Sequence, residues 1–144
     1  MNADATYNKQ ERKAGMGVNI HDSARQVIAC FARKIKVVHD SNIAEALALK
    51  WAITVTHETG IHGGFFETDC LEVILAVNEP EDIVMELDVL ASDLRIRSQI
   101  LHLFYLSYVN RAANTAAHCL PKYGLTCCEL QLWMKKHPFS SKIV

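Results

Sequence analysis

The sequence lacks a net positive charge. Its 144 residues hold fifteen Lys and Arg against sixteen Asp and Glu, for a formal charge of −1. Nucleic-acid-binding domains are usually basic, so this sum by itself argues against that class. No apolar run approaches the roughly 18 residues that a membrane span needs. The opening MNADATYNKQERK has no apolar core and does not read as a signal peptide. The five cysteines (Cys30, Cys70, Cys119, Cys127 and Cys128) are odd in number and form no CxxC pair. That excludes the usual thiol-redox motif and makes an oxidised framework unexpected. No internal repeat or interdomain linker is evident. The expectation is a soluble, intracellular protein, with nuclear and cytoplasmic placement left open.

What is present is a foldable composition. Hydrophobic residues make up 50% and charged residues 22%, which excludes a disordered chain. A chain this long forms one domain and buries roughly two-thirds of its unfolded surface without staples.

Hydrophobic periodicity divides that domain into elements. MNADATY, AGMGVNIH and QVIACFAR read as strands, with NKQERK joining the first two and DSAR making a hairpin of the second and third. From residue 42 to 59 the period changes: Ile43, Leu47, Trp51 and Val55 recur every four positions, the stripe of an amphipathic helix. Ser41 or Asn42 can cap its start and Gly60 can end it. GGFFET (63–68) reads as a short buried strand, and Asp69 can cap a helix carrying Leu71, Ile74, Leu75 and Val77. A further helical stripe runs from Ile83 to Leu94, then a strand over 100–109 and a short helix ending before Pro121. Strands interleaved with helices, after a leading hairpin, predict an α/β fold on a mixed sheet. The expected domain covers 1–122, with 123–144 an unassigned tail.

Three acids fall where ordinary solvated charge does not. Asp4 lies inside the first apolar strand, Glu45 inside IAEALAL, and Asp69 at the end of GGFFET, where open α/β sheets place ligands. Carboxylates carried by separate rigid elements can hold two hard divalent cations, which activate water and stabilise a leaving phosphodiester oxygen. The plain alternative is a cap or an ion-pair member, and Asp69 can be only an N-cap. The other candidates have plain readings too. Trp51 is core before it is a stacking platform. The spacing HC-x7-CC-x8-H (118–137) matches no usual zinc pattern, and His57 and His62 read as surface. Gly15 and Gly17 flank Met16 and mark either a bulge or a close approach by substrate; the pair is too short for a phosphate loop.

Four pieces in order, NADATYNKQERKAGMGVNIHDS, SNIAEALALKWAI, ETDCLEVI and YVNRAANTAAHCL, span about residues 2–121. With them the chain resembles the type 1 ribonuclease H domain, in the plant, retroelement-derived, reverse-transcriptase-like branch of the ribonuclease H-like superfamily. The resemblance implies a ribonuclease H-like α/β fold, a mixed five-stranded sheet flanked by helices on both sides. It implies an endonuclease that cuts the RNA strand of an RNA–DNA hybrid with two Mg2+ ions, Mn2+ being able to replace them. Asp4, Glu45 and Asp69 match the family's catalytic, metal-binding acids. Ser41 and Asn42, with Arg111 and Asn114, match its nucleic-acid contacts, Asn42 in the minor groove, where A-like duplexes are read by shape and 2′-hydroxyls.

The pattern breaks at the fourth acid. His118 stands four residues after Asn114, where the family has Asp. Imidazole is a poor Mg2+ ligand and brings no negative charge. Either the site works in weakened form, or it is a catalytically impaired relic serving as a nucleic-acid or protein binding module. Tyr108 also departs, standing where plant members often have His. The chain starts three residues before Asp4, so the first strand is expected to be shortened, in a fragment or a chain with a misassigned start. The oligomeric state expected is a monomer.

The charge of −1 hides three unequal blocks: +2 over 1–60, −9 over 61–93 and +6 over 94–144. The basic ends offer Lys9, Arg12, Lys13, Arg95, Arg97 and Arg111 for phosphate. The net sum is therefore weak evidence against nucleic-acid binding.

Overall fold

Alternating apolar residues in the first quarter of the chain build three successive antiparallel strands. In a computed structural model, which describes residues 1–36, 40–61, 63–79, 85–100 and 104–135, these are β1 (Asn2–Asn8), β2 (Lys13–His21) and β3 (Val27–Lys36). There follow α1 (Ser41–Glu58), β4 (Gly64–Thr68), α2 (Leu71–Asn78), α3 (Glu86–Ile100), β5 (Phe104–Tyr108), α4 (Thr115–Thr126) and β6 (Gln131–Met134). The strands form one sheet in the order β5-β4-β1-β2-β3-β6. β4 joins β1 and β5 in parallel, and the remaining pairs are antiparallel.

The mixed sheet forms as expected, but it has six strands rather than five. The sixth, β6, pairs Gln131–Met134 against Ala29–Ala32 of β3. Four residues are too few to show a period, so this strand exists through its partner rather than its own pattern. The boundary expected at residue 122 falls inside α4, which passes through Pro121 instead of ending before it. Ile83 and Val84 of the third helical stripe, and His62 and His137, lie outside the described residues.

The two faces of β2 differ, and the difference arranges the helices. Met16, Val18 and Ile20 point to the main core, where they meet Phe31, Leu49, Trp51, Ile53, Phe66, Val73 and Leu94. Trp51 is 9% exposed and meets Phe31 edge-on, so it is core. Gly15 and Gly17 face the other way, onto α4. A Cβ on Gly15 would sit 1.8 Å from the Pro121 carbonyl oxygen, and one on Gly17 2.4 Å from Leu120 Cβ. These glycines therefore make room for a helix, neither for a bulge nor for substrate. The flat surface they leave holds α4 as a helix across its proline, a tertiary contact overriding a local penalty.

The cap of α1 also differs from expectation. Asp40 caps it, its Oδ1 accepting from Ile43 N at 3.0 Å. Asp, Ser and Asn all make good caps, and in the run DSN the first of them takes the position. Ser41 and Asn42 are thereby moved into the first turn.

Candidate functional site

Strand register assembles the site. β1 and β4 run in parallel with Asn2 opposite Glu67, so the residues two further along, Asp4 and Asp69, come level at the carboxyl end of β4. Neighbouring strands lie about 4.8 Å apart, close enough for both carboxylates to share a ligand. Glu45 reaches the same point from the second turn of α1. One carboxylate oxygen from each of Asp4, Glu45 and Asp69 lies within 4.8 Å of the others.

These groups are taken out of water without enough donors to replace it. Asp4 is fully buried. Its Oδ1 and Glu45 Oε2 are buried with no hydrogen-bond partner among the described residues. Burial above all, then the Asp4 charge, pushes the Glu45 carboxyl up to about 9. A carboxyl raised on folding stabilises the fold below its usual 4.5, and that contribution is lost as pH rises towards about 9. Glu45→Gln, held in chelator, is therefore expected to melt higher than wild type at pH 8 and to flatten the decline between pH 5 and 9. Thermal unfolding across that range checks it. An unchanged slope would remove Glu45 as its source.

Asp69 does not cap α2. Cys70 occupies the cap position, while Asp69 receives Arg111 Nε at 3.2 Å and Asn114 Nδ2 at 3.4 Å. Asn114 is 1% exposed and also donates to the Ala3 carbonyl at 3.3 Å. It thus stands behind the carboxylates and links β1 to the Asp69 loop. His118, on α4, places Nδ1 2.7 Å from Asp4 Oδ2.

The group opens into a cleft of about 630 Å³ lined by Ser41, Asn42, Glu45, Asp69, Arg111 and His118, together with Thr6, Tyr7, Tyr108 and others. Cys70, Glu72 and Lys122 also line it, though no motif in the sequence singles them out as site residues. Lys122 was hidden because the helix was expected to stop before Pro121. Burial, with the Glu45 and Glu72 charges, pushes the Cys70 thiol up to about 12, so it stays a donor. It contacts Asn42 Oδ1 at 3.6 Å and Glu72 Oε2 at 3.7 Å, which holds the Asn42 amide by its oxygen.

Of the basic residues offered for phosphate, Arg111 lines the cleft. Arg95 instead binds the Val77 and Ala76 carbonyls at the end of α2, and Arg97 pairs with Asp93. No helix among the described residues is long and apolar enough to cross a membrane.

Comparison with known proteins agrees with this architecture. Residues 2–124 match the family model described as reverse transcriptase-like. The chain is similar to the RNase H1 of the halophilic archaeon Halobacterium salinarum, at 20% identity and a TM-score of 0.71, over 87% of this chain and 95% of that one. It is also similar to LC11-RNase H1, isolated from compost by a metagenomic approach and solved with an RNA/DNA hybrid, at 15% identity and a TM-score of 0.75, over 87% and 94%. A third relative in structure is the N-terminal RNase H domain of a Mycobacterium tuberculosis protein, at 19% identity and a TM-score of 0.68, over 86% and 90%. No curated protein matches the chain. The chain belongs to the reverse transcriptase-like family, and its fold is ribonuclease H-like.

Proposed function

We propose that the chain binds RNA–DNA hybrids in the cleft and hydrolyses the RNA strand, as a retroelement-derived member of its family. The observation that carries this reading is the convergence of Asp4, Glu45 and Asp69, from three separate elements, within 4.8 Å at the cleft floor. Crowded, buried oxygen donors with unsatisfied lone pairs suit hard divalent cations, and Asp4, Glu45 and Asp69 would hold them. Two Mg2+ ions, when bound, supply an activated water and stabilise the leaving oxygen.

The chain's own residues supply the rest. Ser41 and Asn42 stand on the first turn of α1 at the cleft, placed to read a duplex by its 2′-hydroxyls. Arg111 and Lys122 offer charge to the phosphates, while Asn114 braces Asp69 from behind. LC11-RNase H1 is a fold relative solved with an RNA/DNA hybrid, and this supports the choice of duplex.

The test is a cleavage assay on a labelled hybrid with Mg2+ and then Mn2+, beside a binding assay. RNA cleavage within the hybrid is the expected result. Binding without cleavage in either ion would overturn the enzyme. It would leave the second reading, a non-cleaving nucleic-acid module, which the His118 contact to Asp4 favours. Affinity is expected to fall roughly tenfold as salt rises fourfold, since among the described residues Arg111 and Lys122 line the cleft as cations and each phosphate contact releases a counterion. Filter binding at several salt concentrations gives the slope. A flat dependence would exclude these phosphate contacts.

A further inference from the structure

We propose that the open edge of β6 is a dimer interface, on which a second copy of this chain lays its own β6 antiparallel across a twofold axis, in place of the monomer expected from the sequence. β6 closes the sheet order, and no strand among the described residues pairs with its side away from β3. Exposed edge strands are normally blunted by charge, proline or a bulge. β6 reads QLWM, with neither charge nor proline, and it pairs with β3 without a register shift. Leu130, Leu132, Trp133 and Met134 are each between 44% and 53% exposed, an unusual load of apolar surface for so short a segment. β2 and β3 separate this edge from Asp4 on β1, so the pairing does not depend on the proposed hydrolysis.

Backbone and charge select the same register. The Lys135 N–H donates to the Ile28 carbonyl at 2.9 Å, and Met134 stands opposite Ala29, so Lys135 and Ile28 face each other as a hydrogen-bonded pair. Such pairs alternate along an antiparallel ladder. Gln131 and Trp133 therefore turn their backbone groups to β3, and Leu130, Leu132 and Met134 turn theirs to the open edge. Centred on Leu132, two copies satisfy these groups mutually: Leu132 against Leu132 of the second copy, and Leu130 against its Met134. Leu132 lies opposite Phe31, a residue of the main core, so this row carries the apolar face across the twofold axis. The same register sets Glu129 against Lys135 of the second copy, twice by symmetry. Both residues are exposed. Lys135 Nζ also donates to Gln26 Oε1 at 2.8 Å, but an ammonium has three donors and keeps the others for Glu129. A shift of two residues either way loses both Glu–Lys pairs. Two such short strands bury less than the roughly 1,200 Å² at which stable complexes begin, so the dimer is expected to dissociate in the micromolar range.

The experiment is sedimentation velocity on the full chain over a wide concentration range. Wild type is expected to pass from monomer to dimer and to stop there. Leu132→Lys places like charges on the twofold axis and is expected to leave a monomer at every concentration. Glu129→Lys and Lys135→Glu, each alone, are expected to weaken the dimer roughly tenfold or more, because two attractive cross-strand pairs become repulsive. Mixing these two variants restores both pairs across the interface, so a heterodimer of wild-type strength is expected. That rescue also shows that neither variant is misfolded, and the wild-type measurement needs no variant at all. A wild-type monomer at every concentration overturns the inference. So does a dimer that survives Leu132→Lys, a mixture that stays monomeric, or growth past the dimer as concentration rises.

Discussion

Asp4→Asn is expected to abolish hybrid cleavage, by roughly a thousandfold or more, while the chain still folds and binds duplex. Of the three acids Asp4 is fully buried, and it is hydrogen-bonded to His118. Its carboxylate would hold a divalent cation together with Glu45 and Asp69. The amide removes one of three carboxylate donors and puts an N–H where a cation needs an oxygen. A loss of about 4 kcal/mol in transition-state stabilisation corresponds to that thousandfold change. Stability is expected to move the other way, since Asp4 is one of the groups that push the neighbouring Glu45 carboxyl up. Single-turnover cleavage of a labelled hybrid, beside a melting curve, separates the two effects. A variant that cleaves within tenfold of wild type would sink the assignment of Asp4.

Gly15→Ala is expected to give the largest loss of stability for its size. The new Cβ would meet the Pro121 carbonyl oxygen at 1.8 Å and Leu125 N at 2.7 Å. Both are backbone atoms, so no side chain can rotate away and α4 must lift from the sheet. Overpacking of this kind costs about 3 kcal/mol or more, which lowers the melting temperature of a domain this size by roughly 10 °C. His118 moves with α4, so its 2.7 Å contact to Asp4 is expected to break as well. Gly60→Ala is the control. Nothing lies within 4 Å of its Cβ, and its φ of +77° carries only the left-handed penalty of about 1 kcal/mol. Equal melting temperatures for the two variants would mean that the close approach of α4 is not under compression.

Much of this molecule is legible before it folds. The four-residue spacing of Ile43, Leu47, Trp51 and Val55 marks α1, and β2, β3 and their hairpin follow from alternation around DSAR. Asp4, Glu45 and Asp69 stand out because each is a carboxylate in an apolar setting. Other features depend on partners distant in sequence. Arg95 looks like a phosphate contact until the end of α2 claims it. Gly15 and Gly17 look like room for substrate until α4 fills that room.

What the sequence determined by itself was the set of elements and the identity of the unusual acids, because periodicity and the cost of burying charge are local properties. The tertiary structure decided the rest. The parallel register of β1 and β4 brings Asp4 level with Asp69, and the flat glycine face of β2 carries α4 in until His118 touches Asp4. It also added the sixth strand, whose four residues become a strand by pairing with β3. Each of these depends on distances between residues far apart in the chain, which no local pattern encodes.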